Sequence, residues 1–282
     1  MLWQRSLGKF ELTVIADRAY RSDGGQMFGV VPKRLWGAQV PSDELNRITM
    51  GMNSLLVRTG GQTVLIETGA GNKLNPKQMD IWAVDPRRDY LERLAAAGFP
   101  ADTIDMVINT HLHFDHCGWN TVRDEEGRIQ PAFPRARYYV QRGEWERARA
   151  QHERDRISYL DENYTPLVES GRMTLLEGDR ELLPGIRVRV QCGHTRWMQV
   201  VEVRSEGECA CYISDLMPTR WHLQPTWVTA FDLYPLETIA NKHHLLEAAV
   251  RERWLMVFTH DPELPWAEVE QGEHGKFRLR TA

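Results

Sequence analysis

Apolar residues along this chain either alternate with polar ones or run together in short blocks, and glycines punctuate the blocks. FELTVIA at 10–16, NSLLVRT at 53–59 and TVLIETG at 63–69 read as strands, with Thr59-Gly60-Gly61-Gln62 as a hairpin connection between the last two. In RRDYLERLAAAGF the period changes: Tyr90, Leu91, Leu94 and Ala97 fall on one helical stripe, and Gly98 offers a C-terminal cap. The short apolar strand DMVIN follows it. Further strands are predicted at RYYVQ (137–141), MTLLE (173–177) and IRVRVQ (186–191), and at QVVEVRS and ECACYIS, which Glu206-Gly207 joins. Helical patterns cover 143–156 and 237–254, a polar stretch runs to about residue 172, a loop rich in Trp and Pro spans 216–235, and LMVFTH ends the pattern with a strand. Antiparallel runs with helices between some of them predict an α/β (α+β) class, two packed, mostly antiparallel mixed sheets with outer helices, over a doubly wound parallel sheet.

Composition narrows the function. A length of 282 residues suits one domain over 1–282, and 42% apolar with 26% charged residues is ordinary for a globular protein. The net charge of -4, without a basic stripe interleaved with aromatics, points away from nucleic acid and toward a small-molecule substrate. No uninterrupted apolar leader core opens the chain and no stretch approaches a membrane span, so the expected location is cytoplasmic without a membrane partner. A homodimer is the one assembly left open. Cys117, Cys192, Cys209 and Cys211 are too few for a disulfide scaffold and read as reduced, mostly buried side chains.

The chemistry concentrates in NTHLHFDHCGWN, residues 109–120, on a loop leaving the strand DMVIN. His111, His113 and Asp115 are spaced i, i+2, i+4, so on an extended loop they point one way while His116 turns to the other, and one segment can serve two adjacent metal positions. Imidazole and carboxylate suit zinc, and also cobalt, manganese or iron. The plainer alternative is a His-rich surface loop, or core histidines each satisfied by backbone. His152, His222, His243, His244 and His274 lie on helices, loops or the tail and read as structural, with His222 also a candidate to line a pocket.

His111-Leu112-His113-Phe114-Asp115-His116 resembles the HxHxDH motif of the metallo-β-lactamase superfamily. Cys192-Gly193-His194-Thr195, Ile213-Ser214-Asp215 and Phe258-Thr259-His260-Asp261 each follow an apolar strand and resemble that family's later ligand segments, in order. Ile66-Glu67-Thr68-Gly69 stands where the family has an Asp-Thr-Gly strand end. The resemblance implies the αββα metallo-β-lactamase fold and a site for two divalent ions, zinc first among them. His111, His113 and His194 would hold one ion, Asp115, His116 and His260 the other, and Asp215 would bridge them. It also implies hydrolysis by a metal-bridging hydroxide, with Asp115 and Asp215 as the catalytic carboxylates and Asp115 relaying the water's proton. Glu67 would accept from a ligating imidazole N–H, or is simply a strand-end acid.

Within the superfamily, DGGQMFGVVPKRLW, SDLMPTRWH and AFDLYPLETIANK resemble the quorum-quenching N-acyl-homoserine lactonase branch. The expected activity is therefore opening of acylated (homoserine) lactones, with phosphotriester or aryl ester hydrolysis on the same site as the alternative, and a structural metal in a binding module as the reading from another class. Met27, Phe28, Trp36, Met50, Trp119, Trp197, Trp221, Trp227 and Phe231, with His222, are the candidates to line the pocket. Lactonases of this branch carry a Tyr three residues after the bridging Asp, where this chain has Pro218. His222, Tyr212 and Tyr234 are the candidates to replace it.

Overall fold

The apolar blocks assemble into two seven-stranded sheets in a computed structural model that describes residues 2–280, apart from the side chain of His274. In the first sheet β1 (Leu2–Leu7), β2 (Phe10–Ala16), β3 (Asn53–Arg58), β4 (Thr63–Ile66), β5 (Met106–Ile108), β6 (Arg137–Gln141) and β7 (Met173–Leu176) lie side by side in chain order. The second sheet repeats this logic with β8 (Arg180–Leu183), β9 (Ile186–Val190), β10 (Gln199–Ser205), β11 (Glu208–Tyr212), β12 (Leu255–Val257), β13 (Trp266–Gln271) and β14 (Phe277–Leu279).

The sheets are mixed with antiparallel pairs in the majority, as the sequence pattern predicts. β4, β5, β6 and β7 run parallel to one another, and β11 runs parallel to β12, whereas the other neighbouring pairs run antiparallel. A parallel step needs a crossover, and helices provide it: Tyr90–Ala96 before β5, Arg142–Ala150 and Thr165–Glu169 before β7, and Pro235–Glu252 before β12. The first of the pair before β7 is shorter than its predicted span to 156. Gln151 takes a left-handed φ of 47° there, and the following residues, HERDR, offer nothing apolar to bury.

Side-chain alternation divides the core into layers. On β3, Leu55 and Val57 face the space between the sheets, where they meet Ile186, Val188, Val201 and Val203, while Leu56 faces outward onto Tyr90 and Leu94 of the first crossover helix. On the far side Val200, Cys209 and Cys211 pack under Leu245, Leu246 and Ala249 of the long helix. Both sheets are covered on two faces, which explains why their strands read as apolar runs. The four cysteines are free, and only Cys192 is partly exposed. No helix among the described residues is long and apolar enough to cross a membrane.

Two short ribbons, Tyr20–Asp23 with Arg47–Met50 and Thr121–Arg123 with Ile129–Pro131, stand outside the sheets. The first carries a separate apolar cluster including Met27, Phe28, Trp36, Ile48, Met50 and Phe114.

Register sets the position of the site. Ile66 and Ile108 end β4 and β5 at the same level, as Tyr212 and Val257 end β11 and β12. The loops carrying Glu67, His111, Asp215 and His260 therefore leave both sheets at one edge, where rigid strands can present them to one another.

Candidate metal centre

After β5 the chain runs extended through His113 (φ -65°, ψ 154°) and then turns into a short helix, Phe114–Cys117. Asp115 and His116 thus stand on a helical turn rather than on the extended loop that the i, i+2, i+4 spacing suggests. The turn aims them at a second cluster beside the first. His111 Nε2 and His194 Nε2 each lie 3.1 Å from His113 Nδ1. His116 Nε2 lies 3.2 Å from His260 Nε2, and Asp115 is 3.7 Å from each of these two nitrogens. Asp215 stands between the clusters, 3.3 Å from His116 Nε2, 3.3 Å from His194 Nε2, 3.1 Å from His260 Nε2 and 3.8 Å from His111 Nε2.

This donor set fits metal ions better than it fits itself. Tetrahedral ligands at 2.0–2.1 Å from one ion stand roughly 3.3–3.4 Å apart, close to the nitrogen spacings here. Five imidazoles and two carboxylates share a region where none is more than 9% exposed, and Asp215 Oδ1, which faces His260 Nε2, is buried without a hydrogen-bond partner. Burial, reinforced by neighbouring imidazoles, drives His111 and His113 well below the usual histidine range, so both are neutral and offer lone pairs. Burial opposes the Asp215 carboxylate, but His116, His260 and His194 outweigh it and hold the group well below the usual carboxylate range.

Outer contacts orient four of the five rings. His111 Nδ1 meets Thr110 Oγ1 at 3.0 Å, His194 Nδ1 meets Asp232 Oδ1 at 3.1 Å, and His260 Nδ1 donates to the Gly51 carbonyl at 2.8 Å. Glu67 approaches His116 Nδ1 at 3.5 Å and accepts the Thr110 N–H at 2.7 Å. Glu67 (φ 64°) and Ser214 (φ 54°) both take left-handed backbone at strand ends beside the site. Such conformations cost on the order of 1–3 kcal/mol in a non-glycine residue. Here they turn Glu67 under His116 and bring Asp215 between the clusters.

Sequence reasoning missed Glu144, whose buried carboxylate accepts from Leu112 N–H (3.2 Å), Tyr159 O–H (2.9 Å) and Thr195 O–H (2.7 Å). It joins the His111–His113 segment to the residue after His194, and Tyr159 packs edgewise on His113 at 4.7 Å. Removing the acceptor strands three buried donors. Glu144→Ala is expected to lose about 3 kcal/mol of unfolding free energy, and Glu144→Gln less; a urea titration showing both variants as stable as the parent would refute this role.

Asp232, also missed, accepts from Thr229 O–H at 2.8 Å besides meeting His194. Behind it lies Lys242, 1% exposed, whose ammonium donates to the carbonyls of Gln224 (3.0 Å) and Trp227 (2.7 Å). Burial lowers its pKa to about 7, against a smaller opposing pull from Asp232. The unfolded chain keeps this proton up to about pH 10.5 while the folded chain releases it near 7, so within that window the unfolded state binds more protons and stability rises with pH. Relative to Lys242→Met, the parent is expected to gain up to about 1.4 kcal/mol per pH unit above pH 7. A difference in unfolding free energy that stays flat between about pH 7 and pH 9 would rule the shift out.

A cavity of about 410 Å³ opens over the clusters, reached by His113, Asp115, His194, Asp215 and His260. Of the pocket candidates read from the sequence, Met27 and Phe231 line it. The others lie elsewhere among the described residues. Phe28 is sandwiched between Trp36 (5.1 Å) and His222 (4.9 Å), all three buried, and His222 is engaged by Thr219 and the Met27 carbonyl. Met50 is buried in the same cluster, Trp119 packs with Tyr90 under the first sheet, and Trp197 lies against Gly143. Trp221 and Trp227 border a different groove. In their place Leu45, Ile81, Trp82, Phe114 and Ile157 form the apolar wall, with Trp82 stacked on Phe114 at 3.9 Å.

The sequence pattern described as the metallo-beta-lactamase superfamily matches residues 50–207. An N-acyl homoserine lactonase of Bacillus thuringiensis is 27% identical over 172 residues, 60% of this chain and 61% of that protein, and one of Bacillus cereus is 26% identical over the same length. The chain therefore matches about three fifths of the length of these curated relatives. Among solved structures, a probable metal-dependent hydrolase from Staphylococcus aureus superposes with a TM-score of 0.89 at 30% identity, covering 99% of both chains. The dizinc quorum-quenching lactonase AidC (TM-score 0.79, 19% identity) and the hydrolase AbOPH (0.82, 18%) each cover 100% of this chain and 97% of their own, and share its fold.

Proposed function

Because this chain belongs to the metallo-β-lactamase superfamily, we propose that it is a dinuclear metal-dependent lactonase that opens acylated lactones, acylated homoserine lactones among them. The observation that carries the proposal is Asp215, which stands within 3.8 Å of ring nitrogens from both histidine clusters at the floor of an apolar-walled cavity. That the curated relatives are named N-acyl homoserine lactonases supports the substrate class.

His111, His113 and His194 would hold one ion, Asp115, His116 and His260 the other, and Asp215 both. When bound, two divalent ions, zinc or else cobalt, manganese or iron, supply Lewis acidity and lower the pKa of water toward neutrality. Asp115 reaches both the ligand cluster and the cavity, so its carboxylate can take the attacking water's proton and return it to the leaving ring oxygen. Leu45, Ile81, Trp82, Phe114, Ile157 and Phe231 exclude water from the substrate and provide a surface for an acyl chain. Hydrolysis of aryl esters or phosphotriesters is a second reading, favoured by the stacked Trp82–Phe114 pair, which offers an aromatic face.

A metal-defined panel of lactones, thioesters, aryl esters and phosphotriesters tests both. The lactonase reading expects the highest kcat/KM for long-chain acyl lactones and loss of turnover with a chelator. A higher kcat/KM for triesters selects the second reading, and full turnover by metal-free protein overturns both.

A further inference from the structure

Attack on an ester carbonyl places growing negative charge on the carbonyl oxygen, and a neutral hydrogen-bond donor fixed beside that oxygen lowers the barrier. Several polar groups near the cavity are already committed. Pro218 lines it with neither an N–H nor a polar side chain. Tyr212 is buried with its hydroxyl on the Asn53 carbonyl, and both nitrogens of His222 are engaged. Thr229 donates to Asp232, while Arg21 and Arg47 turn to Asp43. Tyr234 starts the long helix beside Arg196 and does not line the cavity.

Tyr20 is placed differently. It lines the cavity at 7% exposure, its ring stands edge-on to His260 with centroids 5.6 Å apart, and its hydroxyl neighbours the carboxylates of Asp115 and Asp215. Its position is rigidly set. Tyr20 pairs with Met50, and the next residue, Gly51, donates to the His260 carbonyl at 2.9 Å and accepts from His260 Nδ1 at 2.8 Å. The ribbon is thereby clamped to one of the candidate ligands.

We infer that Tyr20 donates a hydrogen bond to the carbonyl oxygen of the substrate, a catalytic phenol brought to the site by the N-terminal ribbon; this rests on the lactonase reading. In the reaction, the oxygen of water bonds to the carbonyl carbon, the ring C–O bond breaks, and the water's proton ends on the released alkoxide to give a hydroxy acid. Tyr20 keeps its own proton throughout.

Tyr20→Phe removes only the hydroxyl. With metal-loaded enzyme and a lactone that the parent opens, kcat is expected to fall roughly 10²–10³-fold while KM changes by less than about threefold. Affinity for a cyclic phosphonate that mimics the tetrahedral state should weaken alongside kcat, with metal content and melting temperature unchanged. Tyr234→Phe serves as a control with parental kinetics. Retention of kcat within about threefold overturns the inference, as does a loss that tracks metal content. A parent that opens no lactone overturns the lactonase reading itself, and the role of Tyr20 with it.

Discussion

Asp215→Asn is expected to lower kcat/KM by at least about 10³-fold, since the Lewis acidity at stake is several kcal/mol and each 1.36 kcal/mol is a tenfold change in rate. Asparagine keeps the volume of the side chain but loses the charge, and its amide nitrogen has no lone pair to offer an ion. Asp215 is the group that approaches ring nitrogens of both clusters, at 3.1 Å from His260 and 3.3 Å from His194, so the variant should also bind less than two ions per chain. Metal analysis and lactone kinetics on the same preparation check both effects. Two tightly bound ions with undiminished turnover in the variant would remove Asp215 from the mechanism.

Stripping the ions should weaken the fold as well as the activity. Without them, imidazoles and carboxylates that are at most 9% exposed remain packed together, and the unfolded chain cannot rebuild the same set of ligands. At a free metal concentration about a thousand times Kd, binding contributes about 4 kcal/mol, which for a chain of this size corresponds to a drop in Tm of roughly 7 °C on chelation. Calorimetry with and without a chelator measures it, and restoring the metal should restore the transition. A melting temperature indifferent to both would show that the cluster does not hold ions in the folded chain.

The strands were legible because their signal is local. NSLLVRT and TVLIETG, with two glycines between them, form an antiparallel pair as their pattern predicts, and Thr59 N–H closes the turn onto the Gln62 carbonyl. Direction was less legible. Nothing in DMVIN or RYYVQ says whether the neighbour runs parallel, because that depends on where the crossover helices pack. The ribbon at Tyr20–Asp23 left still less trace: ADRAYRSDGG shows no sustained period, and the ribbon exists because Arg47–Met50 pairs with it and an apolar cluster covers it.

Pocket residues show the same limit in sharper form. Trp36, Trp119, Trp197 and Trp221 were reasonable candidates by size and hydrophobicity, yet one is buried beside Phe28, one is buried under the first sheet, one lies against Gly143, and one borders a separate groove. An apolar side chain will accept almost any dry neighbour, so composition does not choose between core and cavity wall. Glu144, Asp232 and Tyr20 escaped notice for a related reason. Each is a single polar residue whose meaning comes from partners distant in the chain.

The sequence by itself determined the inventory of donors and their places at the ends of apolar strands. Ligand chemistry is specific to residue type, and spacing along a strand end is a local property. Tertiary structure alone decided that the two groups of donors meet around Asp215, which residues wall the cavity above them, and that Tyr20 from the start of the chain stands over His260 from its end. Those outcomes depend on strand register and on packing between remote segments, where the free energy lies in contacts that no short stretch of sequence contains.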